Sequence, residues 1–128
     1  RSAGVIAAAH AGRVGLLGGV LARTVEAMQQ AGARELQAWI GPHICARCYE
    51  VPQQMAAQAA QVLPATRATT SWGTPAIDLA AGATAQLTGL RVTVTRCDPC
   101  TLTAPELFSH RGDGPHTGRQ VGLIWLTD

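Results

Sequence analysis

The chain contains no lysine: its ten basic residues are all arginine, and against eight acidic residues they leave a net charge of +2. Those arginines are scattered along the sequence, so the clustered basic surface of a nucleic-acid-binding protein is missing and no nucleic-acid partner is expected. The missing lysine, set beside abundant alanine, reads as coding bias rather than function. No apolar run approaches the roughly 20 residues that cross a bilayer, so no membrane partner is expected. A charged segment, apolar stretch and cleavage site in series are also lacking at the start, and a cytoplasmic location is expected. Arg1 is followed within four residues by an apolar segment, which reads as the later part of a longer protein.

What is present is one domain's worth of chain, 128 residues, able to bury a modest core. Its organising stretch is Gly4 to Met28. Val5 to Ala9 are uniformly apolar, as in a strand covered on both faces. From Val14 the period changes: Val14, Leu17, Leu21, Val25 and Met28 form one helical stripe, with Gly32 as its stop. Gly12 and Gly15 turn the backbone between the two elements. His10 then stands at the strand's carboxyl end, where open α/β sheets hold ligands. Its imidazole, with a pKa near neutrality, suits metal ligation or proton transfer; alternatively it bonds only its neighbours. One ligand is not a site, because a catalytic zinc takes about three from the protein.

Leu36 to Ile40 reads as a second strand ended by Gly41-Pro42. The loop after it, GPHICARCYE, crowds His43, Cys45, Arg47, Cys48, Tyr49 and Glu50 together. Functional groups concentrate in loops held by a rigid scaffold. The competing reading has Cys48 and Tyr49 plugging the core and Glu50 capping a helix. Pro52 begins that helix, Val51, Met55, Ala59 and Val62 mark its buried stripe, and Pro64 ends it. Residues 65–75 read as a polar loop carrying Trp72. Thr74 and Pro75 read as N-cap and first residue of a helix over Ala76 to Leu87, with Asp78 in its first turn. Gly89 closes it, and Arg91 to Thr95 alternates as a half-buried strand. Near the end, SHRGDGPHTGRQ brings Arg111 and Arg119 into a glycine-rich loop suited to an anion, or into an ordinary solvated hairpin. Val121 to Leu126 reads as a closing strand, apolar enough for the middle of a sheet.

The cysteines fall in two C-x-x-C pairs, Cys45/Cys48 and Cys97/Cys100. Such pairs suggest zinc when about 15 to 20 residues separate them. Here 48 residues intervene. A structural zinc on all four, a disulfide within one pair, and reduced thiols near a pocket all remain open, with an intracellular setting favouring thiols.

Taken in order, AAAHAG, AWIGP with CYEV, CT, LFSHR, TGR and GLIWL resemble the bacterial YfiH-like laccase-domain family, also called multicopper polyphenol oxidases. The resemblance covers the whole chain but only the later portion of a family member. It implies an α/β fold, a compact mixed sheet with helices packed on it, with an amino-terminal part missing. It implies a purine nucleoside phosphorylase acting on adenosine or inosine with phosphate, and adenosine deamination as well. The family's metal ligand in HAGWRG corresponds to His10 in HAGRVG; the other ligands come from the half not in this chain, so the chain alone is expected to be inactive. Zinc is the metal the resemblance implies, with copper as the alternative. Arg13, Arg111 and Arg119 would bind phosphate or substrate, and Cys48, Tyr49 and Glu50 would form the catalytic wall, Glu50 carrying a proton if burial raises its pKa. The sequence departs from the pattern where Arg13 and Val14 replace a tryptophan and an arginine, and where His110, Arg111 and Gly112 replace a tyrosine and paired arginines. Cys48 and Cys100 fall on family positions, whereas Cys45 and Cys97 look like additions. The rival enzyme is a copper polyphenol oxidase, which needs more clustered imidazoles than four spaced histidines offer. The rival of another class is a non-catalytic module held by a metal on the four cysteines. The sequence leaves the oligomer open.

Overall fold

The computed structural model describes residues 4–127. In chain order its elements are α1 (Arg13–Leu17), α2 (Val20–Gln30), β1 (Gln37–Ile40), α3 (Gln53–Val62), a 3-10 turn (Pro64–Thr66), β2 (Arg67–Thr69), β3 (Pro75–Ile77), α4 (Leu79–Gly89), β4 (Thr93–Arg96) and the short α5 (His110–Asp113). The expected α/β class holds. The sheet is divided, however, into a parallel pair β1–β4 and an antiparallel pair β2–β3.

β1 and β4 run in register from Gln37 opposite Thr93 to Ile40 opposite Arg96. Alternation sends Ala38, Ile40 and Val94 to one face, where they pack on Leu16, Leu21, Val25, Ala83, Leu87 and Val92. Trp39 points to the other face and is 58% exposed. A second cluster, Val51, Ala59 and Ile77, is built by α3 and β3, with Tyr49 and Leu79 against it.

The continuous helix expected from Val14 to Met28 is broken at Gly18-Gly19. Gly19 sits at φ +85°, in the left-handed region where a helix cannot continue. The break re-aims the stripe: Leu16 becomes fully buried and Val14 is left 72% exposed. The helix stop is where it was expected, since Gly32 N–H donates to the Gln29 carbonyl and Ala33 N–H to that of Met28, with Gly32 at φ +98°.

Three further expectations are corrected. Residues 65–75 are not simply a loop, nor does the next helix begin at Ala76: Arg67–Thr69 pairs with Pro75–Ile77, Ala76 and Ile77 are buried, and Asp78 is the true cap, accepting from Ala81 N–H at 2.8 Å. Val62 is 62% exposed, not part of the buried stripe, because α3 ends there. Val5–Ala9 and Val121–Leu126, expected as strands, form no ladder. Apolar composition favours a strand, but a strand exists only through bonds to a neighbour, and no backbone hydrogen bond ties either segment to another among the described residues.

Candidate active site

The loop after β1 and the loop after β4 leave the same end of the parallel pair and run side by side. Thr101 N–H donates to the His43 carbonyl at 3.0 Å, and His43 and Cys100 form a parallel bridge. Within the first loop, Cys48 and Tyr49 N–H both donate to the Cys45 carbonyl, closing the C-x-x-C turn. The chain then passes along β3, where Val51 N–H donates to the Pro75 carbonyl and Glu50 bridges Ala76. Tyr49 and Glu50 are therefore held by backbone on both sides.

Tyr49 forms one wall of an open cleft of about 340 Å³ whose other lining residues are His10, Gly12, Arg13, Val14 and Gly15. The His10 ring lies over Gly12: a Cβ there would come within 3.1 Å of His10 Nε2, so the glycine is what lets the imidazole fold down. His10 is exposed, not packed among aliphatic side chains. Arg13, the first residue of α1, is half-buried beside it.

Arg111 reaches this wall from α5. Its Nη1 donates to the Glu50 carbonyl at 2.8 Å, and its guanidinium lies 5.3 Å from the Tyr49 ring centre. That cation–π contact, at an exposed position, contributes about 0.5–1 kcal/mol. The four-residue α5 is set by reciprocal capping, with Ser109 Oγ accepting from Gly112 N–H and Asp113 accepting from Ser109 N–H. Arg119 is placed differently. Its Nη1 donates to the Thr117 and Gly118 carbonyls of its own loop at 3.0 Å each.

Glu50 is exposed, and its carboxylate accepts from the Thr74 hydroxyl and from Trp72 Nε1 at 2.6 Å. The Thr74 bond first and then Trp72 hold its pKa below the ordinary value, outweighing a smaller opposing effect of desolvation, and the Arg111 charge adds least. The condition on which Glu50 would carry a proton, a pKa raised by burial, is thus not met, and Glu50 is neither a helix cap nor a buried acid. Trp72, which the sequence offered as a loop residue, and Thr74, offered as a helix N-cap, are its anchors. Nothing local marked them, because the contact spans 22 and 24 residues.

Cys48 turns to other thiols. The sulfurs of Cys45, Cys48 and Cys100 all lie within 4.8 Å of one another, near enough for one ion, while Cys97 stands apart and exposed. The four-cysteine site expected as one alternative is therefore a three-thiol group, and Cys45 is part of it. Burial, reinforced by the neighbouring sulfurs, pushes the Cys48 thiol up to about 11. For Cys100 burial also pushes upward, but N–H groups of Cys45 and Leu102 and bonds from the Cys45 and Thr103 side chains outweigh it, and its pKa falls to about 7. His43 stays nearby but faces Asp98 at 3.8 Å, a carboxylate already paired with Arg96 at 2.6 Å.

These features define an α/β protein whose chemistry-bearing loops share the carboxyl end of a parallel strand pair. The family model described as multi-copper polyphenol oxidoreductase laccase matches residues 1–127, and the chain belongs to that family. The resemblance read from its motifs is borne out. A purine nucleoside phosphorylase of Streptomyces griseus is 50% identical over 127 residues, covering 97% of this chain and 51% of the relative. One of Streptomyces coelicolor is 49% identical over 126 residues, covering 96% and 52%. One of Deinococcus radiodurans is 37% identical over 126 residues, covering 97% and 50%. The chain spans about half the length of the curated relatives it matches. No solved structure matches. Among the described residues, no helix is long and apolar enough to cross a membrane.

Proposed function

We propose that this chain is the later portion of a cytoplasmic purine nucleoside phosphorylase that splits adenosine or inosine with phosphate, with adenosine deamination as a further activity. The observation that carries the reading is the cleft that gathers His10, Arg13 and Tyr49, with Arg111 on its rim, in a chain whose relatives bear that name. In the reaction a phosphate oxygen bonds to the sugar's anomeric carbon. The glycosidic bond breaks, and its electron pair leaves on the purine nitrogen, which takes up the proton that the attacking hydrogen phosphate gives up. Arg13 and Arg111 hold the phosphate, a task suited to the guanidinium fork, and Arg119 joins them from its loop. The Tyr49 ring is a wall for the nucleoside, and Cys48 fixes that wall from behind. The ionised Glu50 accepts a hydrogen bond from a ribose hydroxyl and is not the acid that protonates the base.

Zinc, or copper as the alternative, would take His10 as one ligand, since an imidazole suits either. The donor set falls short of a centre: among the described residues the group of three ligating side chains is the thiols, not His10. The chain by itself is therefore inactive in this reading.

The test supplies full-length protein with adenosine and phosphate. Release of adenine and ribose 1-phosphate is expected, with Arg111→Ala raising KM for phosphate about tenfold, the loss of one charge-assisted contact. If adenine does not appear while metal content is confirmed, the reading fails. The family's description favours one second reading, oxidation of phenols by copper. Stoichiometric copper with phenol-dependent oxygen uptake would establish it instead.

A further inference from the structure

We propose that Cys45, Cys48 and Cys100 form a zinc site, separate from His10, that clamps the loop after β1 to the loop after β4 and so fixes the Tyr49 wall of the cleft.

The first support is the donor set. Three half-buried, unoxidised thiols lie within 4.8 Å of one another. Two sulfurs bound to one tetrahedral zinc are about 3.8 Å apart, given Zn–S near 2.3 Å, so the group closes on an ion with shifts of about 1 Å. Soft sulfur ligands select zinc over magnesium or calcium.

The second support is the scaffold. Cys45 and Cys48 are set by the closed C-x-x-C turn, while Cys100 is brought across 52 positions by the parallel pairing of β1 with β4 and the His43–Cys100 bridge. Cys45 N–H donates to Cys100 Sγ at 3.3 Å, the kind of backbone bond that orients a ligating sulfur. The neighbouring candidates are otherwise engaged: His43 Nδ1 faces the Gly41 carbonyl at 3.1 Å, and Asp98 is paired with Arg96. The fourth position is therefore left to solvent or an exogenous ligand.

The consequence follows from chain connectivity. Tyr49 is the residue after Cys48, so an ion joining Cys48 to Cys100 immobilises the cleft wall without touching a substrate.

The experiment uses full-length His10→Ala protein, fully reduced and stripped of metal, titrated with cobalt and then zinc. Removing the His10 imidazole keeps that position from contributing to the signal. One cobalt per chain with intense thiolate-to-cobalt charge-transfer absorption is expected, displaced by zinc, and preserved when Cys97→Ser is added. Cys45→Ser, Cys48→Ser or Cys100→Ser each weaken cobalt binding at least tenfold. Zinc slows amide exchange across residues 41–50. Since a serine variant can misfold, X-ray absorption of the zinc-loaded His10→Ala protein is the deciding measurement, and three sulfur neighbours are expected. Fewer than three sulfurs, absorption that survives Cys100→Ser or needs Cys97, or a Cys45–Cys48 disulfide forming in protein that takes up no zinc, each overturns the proposal.

Discussion

Gly82 lies in the interior of α4, where glycine gives up about 1 kcal/mol of helix propensity relative to alanine. The packing explains why it is there. A Cβ at this position would stand 2.7 Å from the Thr66 methyl and 2.9 Å from Leu63 Cδ2. Thr66 cannot swing aside, because its hydroxyl donates to the Leu63 carbonyl at 2.7 Å and its own carbonyl accepts from Asp78 N–H. Overpacking costs about 1–3 kcal/mol and exceeds the propensity gain. Gly82→Ala is therefore expected to lower stability by roughly 1 kcal/mol in urea unfolding, and a more stable variant would refute the packing argument. At Glu50 the prediction concerns pH. Its folded pKa lies below the ordinary 4.5, so the stability it contributes is fully present above about pH 4.5 and is lost as pH falls through the lower folded value. Thr74→Val removes the largest cause of the shift. The Glu50 carboxyl, followed by NMR, should then titrate closer to 4.5, whereas an unchanged midpoint would mean that Thr74 is not the cause.

At the scale of elements, the end of α4 carries a conformation its residue does not favour. Arg91 has φ +60°, with its N–H on the Thr88 carbonyl and Val92 N–H on that of Leu87, a helix stop usually given to glycine. The left-handed conformation costs a non-glycine residue roughly 1–2 kcal/mol, part of which glycine's greater unfolded entropy offsets. Arg91→Gly is expected to stabilise the fold by about 0.5–1 kcal/mol in thermal or urea unfolding; a loss would mean that the arginine stem does more than its exposure indicates. The sequence placed this stop two residues early, at Gly89, because composition shows which residues tolerate a conformation and not which one is made to adopt it. The same distinction governs the rest. β1, α3, β4 and the Gly32 stop were legible because each is decided by a local period or a local breaker. The start of α4 was not: Thr74-Pro75 is a sound local cap signal, yet Pro75–Ile77 is drawn into pairing by β2 on one side and by Tyr49–Val51 on the other. The same holds at the site: that His10 lies just ahead of the first helix could be read from AAAHAG, although not at a strand end, whereas the meeting of Cys100 with Cys45 needed the β1–β4 register.

For the molecule as a whole, the notable feature is how much apolar surface the described residues leave uncovered. Val121, Leu123 and Trp125 are 78%, 78% and 70% exposed, and Trp39 stands on the open face of the parallel pair. That pair has two strands, so among the described residues each keeps one edge without a partner. Exposed apolar side chains and open strand edges both favour association. The 128-residue chain, prepared by itself, is therefore expected to enhance the fluorescence of a hydrophobic dye and to sediment as more than a monomer at micromolar concentration. Leu123→Glu with Trp125→Glu should weaken both signals, since two like charges on an apolar segment oppose its burial against any surface. Neither residue contributes to the buried clusters, so the melting temperature should move by no more than a few degrees. Dye binding and sedimentation unchanged by the double substitution would mean that the open edges of β1 and β4, and not the 121–126 segment, drive association. A Trp39→Glu variant, which charges the exposed face of that pair, would then be the one to restore the monomer.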